Sequence, residues 1–221
     1  MMLTVVIAFL WFSILLYLLL GGADFGAGII ELFTSRKRVR RTRDTLYHAI
    51  GPVWEANHMW LIIAIVILFV GFPAIYSALS IHLHIPLLIM LMGIIARGTA
   101  FVFRHYDAVK DSMQSLYNRI FVWSSFVTPL FLGIIAGATV SGKINTEAQS
   151  FLGAFLNSWL NPFSLMVGLF TVALCGFLAA VYLVGEAESE SDRNSFIRKA
   201  RNANIFPVVL GSFVFWSAET E

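Results

Sequence analysis

The chain has 221 residues, 58% of them hydrophobic and 13% charged, with a formal net charge of +2 and a mean hydropathy of +0.80. That balance excludes a soluble globular domain and a disordered one, and it fits an integral membrane protein. The single cysteine, Cys175, has no second cysteine to pair with, which excludes an internal disulfide.

At about 20 apolar residues per crossing, the sequence predicts an all-α, polytopic transmembrane helix bundle with spans over 3–23, 54–75, 85–104, 120–140 and 163–185. The first apolar stretch has no basic residue ahead of it and exceeds the roughly 7–15 residues of a signal-peptide core, so it reads as a retained helix. A sixth run opens near Ile205 and closes at Trp216, about 12 residues where a span needs about 17. The expectation is therefore five complete spans and a partial sixth. They divide into a first four-helix bundle over 1–140, an external loop over 141–162 and an incomplete second bundle over 163–221.

Basic residues set the orientation. Arg36, Lys37, Arg38, Arg40, Arg41 and Arg43 come after the first span; Arg104, Lys110 and Arg119 surround the third connection; Arg193, Arg198, Lys199 and Arg201 come after the fifth span. The other connections hold His82 and His84, or the lone Lys143. The asymmetry predicts these three loops inside and the N-terminus outside. Beside a membrane span, a run of six cations is a topology signal or an anionic-lipid contact, and no nucleic-acid partner is assigned.

Ionisable residues at membrane depth are costly and mark function or pairing. Asp24 falls near the inner end of the first span, and the apolar run beyond it predicts a sheltered carboxylate. In Gly51-Pro52-Val53-Trp54-Glu55-Ala56-Asn57-His58-Met59-Trp60, Pro52 suits a first helical turn, Glu55 benefits from the positive end of the helix dipole, and His58 lies one turn deeper on the same face. Arg97 precedes Arg104 by seven residues, about two turns or 10 Å further into the membrane. Two readings stand side by side: a polar column carrying protons from the inner face, and a structural Asp24–Arg97 ion pair with Glu55 as a dipole acid and His58 as a bonded core residue. The spacings Gly22-xxx-Gly26 and Gly133-xxx-Gly137 predict close helix packing. No Walker loop, dinucleotide fingerprint, CxxC pair or nucleophile elbow is present, so no catalytic residue and no metal ligand is assigned to the chain.

Gly22-Ala23-Asp24-Phe25-Gly26-Ala27-Gly28, Pro52-Val53-Trp54-Glu55-Ala56-Asn57-His58-Met59-Trp60-Leu61-Ile62, Phe72-Pro73-Ala74-Ile75-Tyr76 and Arg97-Gly98-Thr99-Ala100-Phe101-Val102-Phe103-Arg104 occur in order. They resemble subunit II of the cytochrome bd quinol oxidases. Gly176-Phe177-Leu178-Ala179-Ala180-Val181-Tyr182-Leu183 with Glu186 extends the likeness over nearly the whole chain. The resemblance implies a respiratory complex in a bacterial or archaeal cytoplasmic membrane that oxidises quinol and reduces oxygen to water. It implies a partner, subunit I, carrying two haems b and one haem d, with a structural quinone as a further candidate cofactor and membrane lipid around both subunits. It further implies two four-helix bundles, of which this chain would lack the end of the sixth helix and the last two helices. Glu55 takes the acidic position of the family's Trp-acid-small-Asn motif, Asp24 that of the acid after helix one, and Arg97 that of the arginine opening the third motif. Asp24, Glu55 and His58 are thus candidates for a proton route, and Trp54, Asn57 and Arg97 for facing haem or pairing charge. A ligand role for His58 is not implied. A cofactor-free assembly subunit and a secondary transporter or channel are the alternatives.

Overall fold

The computed structural model describes residues 1–34, 39–106, 113–148, 150–187 and 190–219. Arg36, Lys37, Arg38 and Lys110, four of the cations used for orientation, lie outside the described residues, as do the side chains of Arg40 and Arg41. Eleven α-helices and one π-helical segment make up the described chain, and no strand occurs among the described residues. Five stretches are long and apolar enough to cross a membrane: Met2–Leu32, Trp54–Gly71, His84–Arg104, Met113–Val140 and Pro162–Gly185. The chain is a multi-pass membrane protein of all-α architecture.

The first span is composite. Helix α1 (Met2–Leu16) passes into a five-residue π segment, Tyr17–Gly21, and then into α2 (Gly22–Leu32). A π turn widens the hydrogen-bonded loop to i→i+5 and shifts the phase of the next helix by one residue, about 100° of rotation. α3 (Val39–Ile50) is amphipathic, burying Thr42, Leu46, Ala49 and Ile50 along one face. The second span is shorter than the sequence predicts. α4 (Trp54–Gly71) stops at Phe72, and α5 (Pro73–His82) starts afresh with proline in its first turn, where a missing N–H costs nothing.

α6 (His84–Tyr106) packs along α7 (Met113–Val140), α7 along α9 (Pro162–Gly185), and α9 along α2, so these four form the centre of the bundle. The short α8 (Phe151–Phe155) lies in the connection between α7 and α9. Predicted close packing is found at the glycines. A Cβ on Gly26 would overlap the Cys175 carbonyl and the Ala179 side chain of α9, and one on Gly133 would overlap Thr171 and Gly168. α10 (Glu190–Ala203) and α11 (Ile205–Glu219) pack on α9, with Phe196 and Ala200 joining Leu46, Ala179 and Leu183 in one apolar cluster. α1 and α4 pair at the margin, leaving Phe9, Trp11, Ile62, Val66 and Phe69 exposed for a bilayer or a protein partner to cover.

Candidate functional site

Arg97 and Asp24 meet at the centre of the bundle with side chains 1% and 0% exposed. Arg97 Nη1 donates to Asp24 Oδ2 at 2.9 Å, and Nη2 donates to Oδ1 at 2.7 Å and to the Asp24 carbonyl at 2.9 Å. Its Nε donates to Ser125 Oγ on α7 at 3.2 Å. The guanidinium carbon lies 5.2 Å from the Phe25 ring and 5.1 Å from the Phe121 ring. Taking two charges out of water is expensive, and the cost is offset only by good geometry and satisfied donors. A bidentate fork, a carbonyl, a hydroxyl and two aromatic faces supply both. Gly28 belongs to the same construction, since a Cβ there would overlap Ser125.

A second pair repeats the first one level along. Glu31 is 4% exposed; its Oε2 accepts from Arg104 Nη1 at 2.9 Å, and its Oε1 from Arg43 Nε at 2.6 Å. Both acid–arginine pairs are separated by 73 residues in the chain, so α2 and α6 run parallel with two rungs seven residues, about 10 Å, apart. Phe121 serves both rungs, its ring lying 4.3 Å from the Arg104 guanidinium carbon. Glu31 is missed from sequence because a single acid does little to the mean of an apolar run. The signal lies in the matched spacing, Asp24 to Glu31 and Arg97 to Arg104.

His58 stands beside the first rung. Its Nε2 is 3.7 Å from Asp24 Oδ2, an ionic distance rather than a hydrogen bond. The imidazole is boxed by Phe25, Tyr17 and Trp54, with ring centroids 5.7, 5.9 and 6.3 Å away. His58 Nδ1 and Tyr17 Oη are both buried and find no partner among the described residues. Tyr17 opens the π segment, and Asn57 Nδ2 donates to the Leu20 carbonyl of that segment at 3.4 Å, tying α4 to the irregular turn. Distorted turns of this kind are frequent at functional sites.

The residues predicted from sequence are therefore only partly gathered. Asp24, Arg97 and His58 form one cluster and Asn57 braces it. Trp54 is half-buried, its ring 5.6 Å from that of Phe101 and lying over Gly98. Glu55 is exposed in the first turn of α4, apart from the buried rungs and without a hydrogen bond or ion pair to the described residues. The expected column thus has a buried part and an open acid at its start. Among the described residues no three His, Cys, Asp or Glu side chains gather as a metal site.

The sequence profile of the family described as cytochrome bd terminal oxidase subunit II matches residues 2–220. The chain is 29% identical over 175 residues to the cytochrome bd ubiquinol oxidase subunit 2 of Bacillus subtilis (strain 168), covering 75% of this chain and 49% of that protein. It is 26% identical over 186 residues to the cytochrome bd-I ubiquinol oxidase subunit 2 of Escherichia coli (strain K12), covering 80% and 48%. A more distant relative, at 24% identity over 140 residues, is the putative cytochrome bd menaquinol oxidase subunit II of Bacillus subtilis (strain 168), covering 63% and 39%. The chain spans about half the length of the curated relatives it matches.

Proposed function

The chain belongs to the cytochrome bd terminal oxidase subunit II family, and on that premise we propose that it works as subunit II of a membrane quinol:oxygen oxidoreductase, seated against a haem-bearing subunit I. In this reading it stabilises subunit I and carries protons inward from the cytoplasmic side along Glu55 and His58 to the Asp24 rung. The observation that carries the proton route is a triad of one partly buried and two buried groups: an imidazole 3.7 Å from a carboxylate that is itself locked to an arginine. Asp24 is committed to Arg97 by two charge-assisted bonds, so the group with spare capacity is His58, whose Nδ1 lacks a protein partner beside an equally unpartnered Tyr17 hydroxyl. Those unused positions suit a chain of water molecules. Glu55, exposed three residues before His58, is the acid that would load it.

Orientation belongs to the same proposal. Arg43, Arg104 and Glu31 meet at one end of the parallel pair α2 and α6, which supports placing both basic loops on the same, cytoplasmic, side. The division into bundles over 1–140 and 163–221, and the bacterial or archaeal cytoplasmic membrane as location, are carried as part of this reading.

Among the described imidazoles, His58 is boxed by three rings, His82 Nδ1 lies 3.0 Å from the Ala154 carbonyl, and His84 Nδ1 lies 2.8 Å from that of Ile81. The two haems b and the haem d that the family name implies are assigned in this reading to subunit I. Quinol and oxygen are then substrates of the complex, not of this chain alone. The names of the relatives divide between ubiquinol and menaquinol.

A second reading, an assembly subunit with no proton role, draws on the completeness of Arg97's hydrogen bonding, which a purely structural ion pair would also need. Co-expression with subunit I, purification on a tag carried by this chain, and a reduced-minus-oxidised spectrum test the complex. Co-purifying b and d bands support it, and a stable chain without them contradicts it. Glu55→Gln separates the two readings: slowed oxygen reduction with unchanged haem content favours the route, whereas unchanged turnover leaves the assembly role.

A further inference from the structure

Away from the charged rungs, α2, α7, α9, α10 and α11 line an open groove of about 390 Å³. Its walls are apolar, with Ile30, Phe126, Leu169, Val172, Phe206 and Leu210 among them. Its polar lining consists of Thr34, just past the end of α2, and Lys199 and Asn202 in the last turns of α10. Thr34 Oγ1 donates its one proton to the Ile30 carbonyl at 2.6 Å, so the donors facing the groove are those of Lys199 and Asn202. Arg198 and Arg201, both exposed, flank Lys199 on the same helix.

The length and the charge of this groove point to one kind of occupant. Along α9 it runs from Leu169 to Ala180, eleven residues and so about 16 Å, while one leaflet's share of a hydrocarbon core of roughly 30 Å is about 15 Å. We infer that this groove is a binding site for a single anionic phospholipid, with an acyl chain between α9, α2 and α11 and the phosphate at Lys199 and Asn202. An apolar slot one leaflet deep, with Lys199 at one end and the exposed Arg198 and Arg201 beside it on α10, complements that amphiphile in shape and in sign. A neutral lipid or an isoprenoid would fill the slot but gain nothing from the basic turn of α10. The site is independent of the proton route and of the oxidase assignment.

Native mass spectrometry of the full chain in mild detergent tests it, using phosphatidylglycerol and phosphatidylcholine of identical acyl chains as probes. The expected result is one phosphatidylglycerol retained in preference to phosphatidylcholine by at least about fivefold, the equilibrium worth of one basic residue near a membrane surface. Lys199→Gln should bring that preference close to unity, and Ala173→Trp, which fills the slot and leaves every basic residue in place, should remove the retained lipid. Equal retention of the two lipids, a preference that survives Lys199→Gln, or one that survives Ala173→Trp and so reflects adsorption on α10, would overturn the assignment. So would a retained neutral molecule with the mass of a quinone.

Discussion

The two halves of the first span belong to one apolar run in sequence and have opposite fates in the structure. α1 buries one residue, Ser13, whereas α2 buries nine of its eleven, including two acids. α1 carries no charged residue among its fifteen, whereas α2 carries two carboxylates and three glycines among its eleven, a helix that lipid alone would not suit. Small residues and charge set the two apart. Gly22, Gly26 and Gly28 let α2 approach α9 and α7, and Asp24 and Glu31 then have arginines within reach. Without a hydrophobic driving force between helices in a bilayer, close van der Waals contact and polar pairing decide which surface becomes interior.

The most damaging way to break that asymmetry is to remove one member of the central pair. Arg97→Ala leaves Asp24 as an uncompensated buried carboxylate, a loss of about 3–5 kcal/mol. The expected outcome is a chain that fails to accumulate in membranes or elutes as aggregate on size exclusion, whereas Arg97→Ala with Asp24→Ala should recover part of the yield. Next comes Gly26→Leu, which drives a side chain into the Cys175 carbonyl and should cost about 1–3 kcal/mol or more, read as a lowered thermal midpoint in detergent. Smaller still is Glu31→Gln, because Arg43 is 27% exposed and can turn to water, leaving mainly Arg104 to suffer. A loss of about 1–2 kcal/mol is expected, smaller than that of Arg97→Ala in the same assay. If Glu31→Gln were the worse of the two, the ranking of the rungs would be reversed.

Much of this is legible in the residues. Runs of apolar side chains give the five spans, and the expense of a charge at depth singles out Asp24 and Arg97 and suggests that they pair. The gaps have physical causes. A π segment has no local sequence signature, so the turn at Tyr17–Gly21 and its tie to Asn57 emerge only from packing. Pro73 does signal a helix start, yet the apolar run continues past it, and hydropathy carries the second span through the break at Phe72. Arg43 and Arg104 count as topology charges in a loop tally. That they also hold Glu31 depends on α2 and α6 running parallel in register, which composition does not encode. Motif and depth group Glu55 with Asp24, but depth says nothing of azimuth, and the Glu55 side chain is exposed at the start of α4.

That separation makes the central claim testable in one experiment, quinol-driven oxygen consumption per haem by the complex carrying Glu55→Gln. The proton route predicts a fall of at least about tenfold with the reduced-minus-oxidised spectrum unchanged, in line with the loss of a group that transfers protons in the rate-determining sequence. Wild-type turnover in a fully haem-loaded complex would contradict the route and leave this chain an assembly subunit.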